Sequence, residues 1–345
     1  MAGDPNPPAL DRLGRWLRTH GVEAAVESMT PLAGGNSNAT FLLHCGSRRL
    51  VLRRPPADAL SSSAHNMARE YRVMRALEGT GVPVPGLVGY CADPETVGAP
   101  FLVMEAVDGV PLTDSMPEGY PAGAAGALGT RMVDTLARLH SLDWADLGLS
   151  DFGRPAGFLD RQVARWTGQY RSYATRDLPR FDQIARWLAG HSPDPQPAGI
   201  LHGDYHLDNC LWGRRAPTLL AVIDWELSTI GDPLLDLGLC LAFWGDREPE
   251  PPGLARIQAL SRQPGTPDRQ ELADRYAETA GRTVRDLRYY LCLALWKLAA
   301  ILEGAYSQFV AGSLGTPYAR GLGADVPQLL EEAAGHAGLA APRCG

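Results

Sequence analysis

The chain contains the stretch His202-Gly203-Asp204-Tyr205-His206-Leu207-Asp208-Asn209, and Asp224 follows 15 residues after its end. His202, Asp204 and Asn209 have the H-x-D-x-x-x-x-N spacing of a kinase catalytic loop. Such a loop supplies a carboxylate that orients and deprotonates a hydroxyl, and together with a later Asp it supplies oxygen ligands for Mg²⁺. Asp224 comes directly after a short apolar run, as expected at the end of a buried strand. The stretch therefore predicts the parts of a phosphoryl-transfer site.

Two other interpretations of the same stretch are open. His202, Asp204 and His206 would share one face of a strand, which is an arrangement found in metal hydrolases. That interpretation leaves Asn209 and Asp224 without roles. The stretch can also be a structural loop in which Asp and Asn cap turns and the histidines pack. Phosphoryl transfer gives a role to more of these residues than either alternative does, and we therefore favour it.

The charge balance argues against nucleic acid as a partner. The 345 residues include 32 Lys and Arg against 39 Asp and Glu, which gives a net charge of −7. Binding to a phosphate backbone needs a basic face, and this composition does not indicate one. We expect a small molecule with a hydroxyl group as the partner, and the composition leaves the oligomeric state open.

Cysteine usage and hydropathy indicate the compartment. The six cysteines are scattered without a C-x-x-C pair, so neither disulfides nor a zinc site are predicted. The first residues lack a basic segment followed by an apolar one, so no signal peptide is predicted. The longest apolar helix candidate, Leu291 to Leu302, is too short for a bilayer and contains Lys297. We expect a cytoplasmic protein that does not associate with membranes.

The pattern of apolar residues changes along the chain. Strand-like runs are concentrated in the first third, and from about residue 122 the pattern is mostly helical, with an exception at 199–224. This change predicts an α+β protein with two lobes. We expect an N-lobe at 1–105 with a small sheet that binds nucleotide phosphates. A helical C-lobe at 106–345 would carry the catalytic loop and the acceptor site.

A glycine-containing loop precedes the first strand of a predicted hairpin in the N-lobe. Its small side chains would let backbone N–H groups approach phosphate oxygens. Gly-Gly-Asn is also common in ordinary turns, but the position ahead of a hairpin favours phosphate binding. The residues of this candidate phosphate loop are Gly34, Gly35, Asn36, Ser37 and Asn38.

Arg53 ends the second strand of that hairpin, where a kinase has the lysine that contacts the nucleotide phosphates. Glu70, on the following helix, stands where the partner carboxylate of that lysine is expected. The arginine guanidinium is planar with N–H donors in fixed directions, whereas the lysine ammonium is a compact point charge, so the two residues are not equivalent at this position. Arg54 is adjacent and competes with Arg53 for the role, and an ordinary surface pair is the alternative for each residue.

The segment Met104-Glu105-Ala106 lies at the predicted crossing between the lobes. Its main-chain groups could bind an adenine edge, and a plain linker between the lobes is the alternative.

Several residues near the motif are candidates for acceptor contacts or for support of the loop. Asp232 followed by Pro233 has the pattern of a helix N-cap, and we expect Asp232 and Asp236 to brace the catalytic loop. His140 is expected to be a helix-end histidine with a structural role. The candidates for acceptor contacts are Tyr205, Asp208, Trp225, Glu226 and Trp244.

Taken together, these motifs resemble the aminoglycoside phosphotransferase family, which consists of small-molecule kinases with a bilobal, protein-kinase-like fold. The resemblance covers roughly residues 28–310. It implies an N-lobe with an antiparallel sheet, Asp204 as the catalytic base, and Asn209 and Asp224 as Mg²⁺ ligands. It also implies a nucleoside triphosphate as donor, either ATP or GTP, with ATP preferred.

Within that family the chain is most similar to the branch that is also found fused to acyl-CoA dehydrogenases. The similarity rests on the segments 51–56, 64–65, 69–71, 82–85 and 225–233. It implies a hydroxylated acyl compound as the phosphate acceptor. An aminoglycoside or macrolide phosphotransferase is the first alternative, and a nucleotide-binding pseudokinase without transfer activity, suggested by Arg53, is the second.

Overall fold

The computed structural model describes residues 7–32, 38–55, 64–112, 115–121, 123–245 and 259–339. Four residues of the predicted phosphate loop, Gly34, Gly35, Asn36 and Ser37, lie outside the described residues; Asn38 lies within them.

The N-terminal part contains a five-stranded antiparallel sheet with the strand order β1-β2-β3-β5-β4. The strands are β1 (Ser28–Pro31), β2 (Ala39–Cys45), β3 (Arg48–Arg54), β4 (Leu87–Cys91) and β5 (Phe101–Glu105). Two helices accompany the sheet, α1 (Pro7–Arg18) and α2 (Ala64–Leu77).

The inner strand β5 is apolar from Phe101 to Met104 because both of its faces are covered there. Side chains alternate between the two faces of a strand. Phe101 and Val103 belong to a hydrophobic cluster that includes Leu13 and Leu17 of α1. Leu102 and Met104 belong to the larger cluster, which α2 and the helical part share. The sheet is therefore held between α1 on one side and the rest of the molecule on the other.

Among the residues that the structure describes, the remainder of the chain is mostly helical and also contains four short strands. The helices are α3 (Ala124–His140), α4 (Phe158–Tyr173), α5 (Pro179–Gly190), α6 (Pro233–Phe243), α7 (Arg269–Ala280), α8 (Leu287–Val310) and α9 (Pro317–His336). The short strands are β6 (Gly199–Leu201), β7 (Cys210–Trp212), β8 (Leu219–Val222) and β9 (Thr229–Gly231). The strand β6 pairs with β9 and β7 pairs with β8, both in antiparallel fashion.

The predicted combination of an N-terminal antiparallel sheet with a helical remainder is confirmed. The five described cysteines are all buried and free. Within the described ranges, no helix has the length and apolar character needed to cross a bilayer.

Candidate active site

Two short antiparallel strand pairs bring the motif residues together. The catalytic loop connects β6 to β7, and Asp224 lies in the connection between β8 and β9. Since β6 pairs with β9 and β7 with β8, both connections run side by side between the two strand pairs. The backbone N–H of Ile223 donates to the carbonyl oxygen of Asn209 at 2.9 Å, which ties one connection to the other.

His202 supports the loop from inside the protein. Its Nε2 atom lies 3.0 Å from the carbonyl oxygen of Ile223, and its Nδ1 atom accepts the backbone N–H of Asp204 at 3.2 Å. These contacts require the proton on Nε2. Burial lowers the pKa of His202 against the opposing charge of Asp236, which favours this neutral form. Because both ring nitrogens are used within the protein, the metal-hydrolase interpretation does not hold.

Asp236 of α6 braces the start of the same loop. Its carboxylate accepts the backbone N–H groups of His202 and Gly203 at 2.5 and 2.9 Å. Burial alone would raise the pKa of Asp236, but His140 and these hydrogen bonds outweigh burial and lower it. Asp232 caps the N-terminus of α6 by accepting the Leu234 N–H, as its sequence pattern predicts.

The Asp204 carboxylate is held by neighbours within the loop. The Asn209 side-chain amide donates to the backbone oxygen of Asp204 at 2.8 Å and to its Oδ2 atom at 3.1 Å. The Nε2 atom of His206 lies 3.5 Å from Oδ2. Burial would raise the pKa of Asp204, but the contact with His206 and the charge of Lys297 help to lower it to about 2. The carboxylate is therefore ionised at neutral pH.

Asp224 joins the N-terminal sheet to the loop through Arg53. The Nη2 atom of Arg53 donates to Oδ1 of Asp224 at 2.9 Å, and its Nη1 atom donates to Glu70 of α2. Asp224 has the left-handed backbone angles φ 69° and ψ 59°. A non-glycine residue adopts them at a cost, and such strain is concentrated at functional sites.

Arg53, and not Arg54, occupies this position. The side chains of Arg53 and Glu70 are 11% and 1% exposed, so the pair is shielded from water. Burial raises the pKa of Glu70 to about 7, against the opposing effect of the Arg53 charge. Arg54 points away from the site and donates to the carbonyl oxygen of Val97 at 2.9 Å.

Asn38 and Glu226, which the sequence assigns to different subsites, contact each other. The Asn38 amide donates to a carboxylate oxygen of Glu226. Glu226 is close enough to Arg53 for its charge to raise the pKa of the guanidinium. Glu226 therefore lies beside the Arg53 ion pairs.

A cleft of about 680 Å³ opens between the sheet, the crossing segment and the loop. This volume is in the range of small-molecule sites. The predicted residues that line it are Asn38, Arg53, Glu70, Met104, Glu105, Ala106, Asp208, Asn209 and Asp224. Asp204 does not line it, but its carboxylate accepts a hydrogen bond from Asn209, which does.

The crossing segment offers a donor that the sequence prediction missed. The backbone N–H groups of Glu105 and Ala106 donate to the carbonyl oxygens of Gly86 and Arg49, at 2.8 and 3.0 Å. Within the described ranges, the N–H of Val107 has no such acceptor, and Val107 lines the cleft. Val107 therefore carries the backbone N–H of this segment that is left open to the cleft, because sheet contacts occupy the N–H groups of Glu105 and Ala106.

The structure corrects three of the acceptor candidates. Tyr205, Trp225 and Trp244 are fully buried. Their polar atoms donate to the backbone oxygens of Met132, Val222 and Pro267. These side chains therefore form part of the core behind the loop. Aromatic residues next to a motif could not be assigned to core or pocket from the sequence, because that depends on tertiary packing.

Asp208, by contrast, faces the cleft. Burial raises the pKa of its carboxyl group. Its Oδ1 atom is buried and has no hydrogen-bond partner among the described residues.

Solved phosphotransferases share this architecture. A protein from Ralstonia eutropha, provisionally assigned as an aminoglycoside phosphotransferase, is 33% identical and superimposes with a TM-score of 0.79. The match covers 95% of this chain and 98% of that protein. The GDP complex of an aminoglycoside 2'-phosphotransferase-IIIa is 16% identical, with a TM-score of 0.61 over 94% of this chain and 98% of that one. The second similarity shows the fold alone.

Sequence comparison gives the same family. Acyl-CoA dehydrogenase family member 11 of Rattus norvegicus is 38% identical over 294 residues, which is 84% of this chain. The chain spans 37% of the length of that relative. The model of the phosphotransferase enzyme family matches residues 28–287, well over half of the chain. The bilobal, kinase-like fold is confirmed, and the chain belongs to the aminoglycoside phosphotransferase family of phosphotransferase enzymes.

Proposed function

We propose that this protein is a kinase that transfers the γ-phosphate of ATP to a hydroxyl group of a small molecule. The observation that carries the proposal is the connected set of side chains at the inner edge of the cleft. Asp204 contacts Asn209, and Arg53 joins Asp224 to Glu70. A base, two oxygen ligands for a cation and a cation for phosphates are the groups that phosphoryl transfer needs.

The cleft is the proposed nucleotide site. Its apolar walls include Val51 and Met104, which suit a flat base, and the Val107 N–H can donate to an acceptor on the base edge. Arg53 at the inner end would contact the α- and β-phosphates, assisted by Asn38 and the preceding loop. The relative solved with GDP supports a nucleoside triphosphate as donor, so GTP is the alternative to ATP.

Asn209 and Asp224 fit a magnesium ion. Mg²⁺ takes hard oxygen ligands, and these residues offer an amide oxygen and a carboxylate. The Asn209 amide nitrogen is directed at Asp204, so its oxygen is turned away from the base. When bound, the ion would neutralise charge on the β- and γ-phosphate oxygens. One guanidinium nitrogen of Arg53 holds the Asp224 carboxylate in place, and the contact of the other nitrogen with Glu70 holds Arg53 itself.

Asp204 would orient the acceptor hydroxyl and take up its proton. The low pKa of about 2 keeps the carboxylate ionised, so it is a hydrogen-bond acceptor at every physiological pH. Because the transition state is loose, the hydroxyl needs alignment more than early deprotonation. The contacts from Asn209 and His206 supply that alignment by fixing one carboxylate oxygen.

The proposed acceptor is a hydroxylated acyl compound. Two apolar side chains lie beside the loop: Leu227 lies against Gly203 with 41% of its surface exposed, and Phe243 stacks on His206 at 4.6 Å. Such side chains suit an aliphatic chain better than a polyamine. The similarity to an acyl-CoA dehydrogenase family member supports the same chemical class.

The test is ADP release from Mg·ATP with three separate groups of acceptors: hydroxyacyl thioesters, aminoglycosides and macrolides. The proposal predicts ADP release that depends on hydroxyacyl compounds, with the phosphate recovered on the hydroxyl oxygen. If only aminoglycosides or macrolides stimulated ADP release, the protein would be an antibiotic phosphotransferase and the proposed acceptor would be wrong. Tight ATP binding without transfer to any acceptor or to water would establish a pseudokinase instead.

A further inference from the structure

Lys297 is a charged residue in the middle of the apolar helix α8. Its side chain is only 8% exposed, and its helix neighbours Leu295, Trp296 and Ala299 are core residues. Lysine is almost never fully buried unless its ammonium group has a partner. The partners of Lys297 therefore indicate why a cation is present at this depth.

The ammonium group is directed at the catalytic loop. Nζ donates to the carbonyl oxygen of Gly203 at 3.0 Å. On its other side, Nζ lies 5.4 Å from the ring centroid of Trp166 in α4, which is a favourable position for a cation. Gly203, which precedes Asp204, is thus hydrogen-bonded to α8, a helix that begins more than eighty residues later in the chain.

The contacted carbonyl belongs to the peptide group that carries Asp204. The Gly203 carbonyl and the Asp204 N–H lie in one planar unit. Lys297 binds the carbonyl end of this unit, and the ring of His202 accepts from the N–H end at 3.2 Å. With hydrogen bonds at both ends, the Gly203–Asp204 peptide plane cannot rotate. With only one of them, the plane could turn about the remaining hydrogen bond.

Gly203 makes this support necessary. Its φ of 86° is accessible mainly to glycine, and an added Cβ would lie 2.5 Å from the carbonyl oxygen of Leu227. Glycine has the greatest backbone freedom of all residues, so the chain can rotate next to the catalytic base. Asp236 restrains the N–H of Gly203, but that N–H belongs to the preceding peptide group.

We propose that Lys297 is a positioning residue for Asp204: by binding the Gly203 carbonyl, it fixes the peptide plane that aims the Asp204 carboxylate at the acceptor hydroxyl. The inference rests on the proposed kinase function for its catalytic consequence. The structural consequence, a loop that is less ordered without Lys297, is independent of that function.

The experiment compares Lys297→Met and Lys297→Gln with Glu303→Gln. Methionine fills the same space without a donor, and glutamine keeps an N–H that can reach the carbonyl. Glu303 is a fully buried charged residue on the same helix, paired with Arg176 at 2.8 Å, away from the loop. It therefore controls for any general loosening of α8.

In the transfer assay, kcat of Lys297→Met should fall by at least about tenfold, since small misplacements of reacting groups cost up to about 10²-fold. Lys297→Gln should recover part of this loss. The KM for ATP should stay within about twofold in both, because the nucleotide cleft does not include Lys297. Glu303→Gln should keep the wild-type kcat even where its melting temperature is lower.

Amide hydrogen exchange of the peptide spanning 199–212 gives a readout without turnover. It should be faster in Lys297→Met than in wild type and in Glu303→Gln. A wild-type kcat and unchanged exchange in Lys297→Met would overturn the inference, as would equal kcat losses in Lys297→Met and Glu303→Gln. If wild type transfers phosphate to no acceptor, the proposed function fails, and the exchange comparison alone decides the role of Lys297.

Discussion

Arg53 shows how one side chain can serve two partners. The guanidinium is a planar fork with five N–H donors, so it can reach Glu70 in α2 and Asp224 in the β8–β9 connection at once. A lysine in the same place has a single nitrogen, so it could not present a separate nitrogen to each carboxylate. The arginine at this position therefore pairs with both carboxylates, which favours the proposed kinase over the pseudokinase alternative.

Replacing Arg53 should separate these contributions. Arg53→Met leaves the buried Glu70 without its cation, so we expect a loss of about 3–5 kcal/mol in the free energy of unfolding, measured in urea. Arg53→Lys should lose less, because a positive charge remains near Glu70. Both variants should bind ATP more weakly. An Arg53→Met protein as stable as wild type would show that the ion pairs contribute nothing.

The sequence predicted the residues whose roles depend on local spacing. His202, Asp204 and Asn209 lie within eight positions, so one loop conformation brings them together. Lys297 and Val107 could not be found in this way. Their roles depend on which backbone groups the sheet and the loop leave without partners, and tertiary structure decides that. A lone lysine in an apolar helix was the one available signal for Lys297.

The catalytic loop depends on the close approach of the segments around Gly203 and Leu227. Gly203→Ala should lower kcat by about 10²-fold, because the added Cβ would collide with the Leu227 carbonyl oxygen and displace Asp204. Gly148→Ala is the matched control, since Gly148 also has a positive φ, 72°, but nothing lies within 4 Å of an added Cβ. Equal kcat values for the two variants would argue against crowding at Gly203.

The end of α3 should make folding sensitive to acid. Burial lowers the pKa of His140 below its ordinary value of 6.5, against the opposing effect of Asp236. The unfolded chain therefore binds a proton below pH 6.5 that the folded chain does not. The contribution of His140 to the free energy of unfolding is fully present above pH 6.5. It is lost as the pH falls, by at most about 1.4 kcal/mol per pH unit.

His140→Gln should remove this part of the pH dependence. Urea unfolding of wild type and variant at pH 7.5 and 5.5 gives the comparison, and the wild type should lose more stability between the two values. His191→Gln, at the exposed end of α5, should behave like wild type. Parallel losses in wild type and His140→Gln would contradict the assignment of acid sensitivity to His140.

The helices and strand pairs around the loop were only partly predictable. The N-cap pattern of Asp232-Pro233 correctly predicted the start of α6. The orientation of Tyr205 and Trp225 was wrong, because a side chain beside a catalytic residue can point inward or outward at the same sequence spacing. Glu226, one of the acceptor candidates, contacts Asn38 of the N-lobe, which its sequence position did not indicate.

The two lobes are connected by polar contacts at the cleft as well as by shared core. Arg53 pairs with Asp224, Asn38 with Glu226, and the Val222 N–H donates to the Pro83 carbonyl oxygen at 2.8 Å. A ligand in the cleft would touch both lobes and should stabilise the protein as a unit.

Mg·ATP should therefore raise the melting temperature. At a concentration 100-fold above Kd, the expected gain is about 2.7 kcal/mol. Chelation of Mg²⁺ by EDTA should remove part of the gain, and in Asn209→Ala that magnesium-dependent part should be absent. An Asn209→Ala protein with the full magnesium effect would exclude Asn209 as a ligand of the ion.

The most direct test of the proposed reaction is transfer of labelled γ-phosphate from ATP to a hydroxyacyl acceptor by wild type and Asp204→Asn. Asparagine keeps the shape of the side chain but cannot accept the proton. We predict ATP binding and a melting temperature close to wild type, with kcat lower by about 10²–10⁴-fold. Transfer at the wild-type rate by Asp204→Asn would contradict the role of Asp204 and, with it, the proposed mechanism.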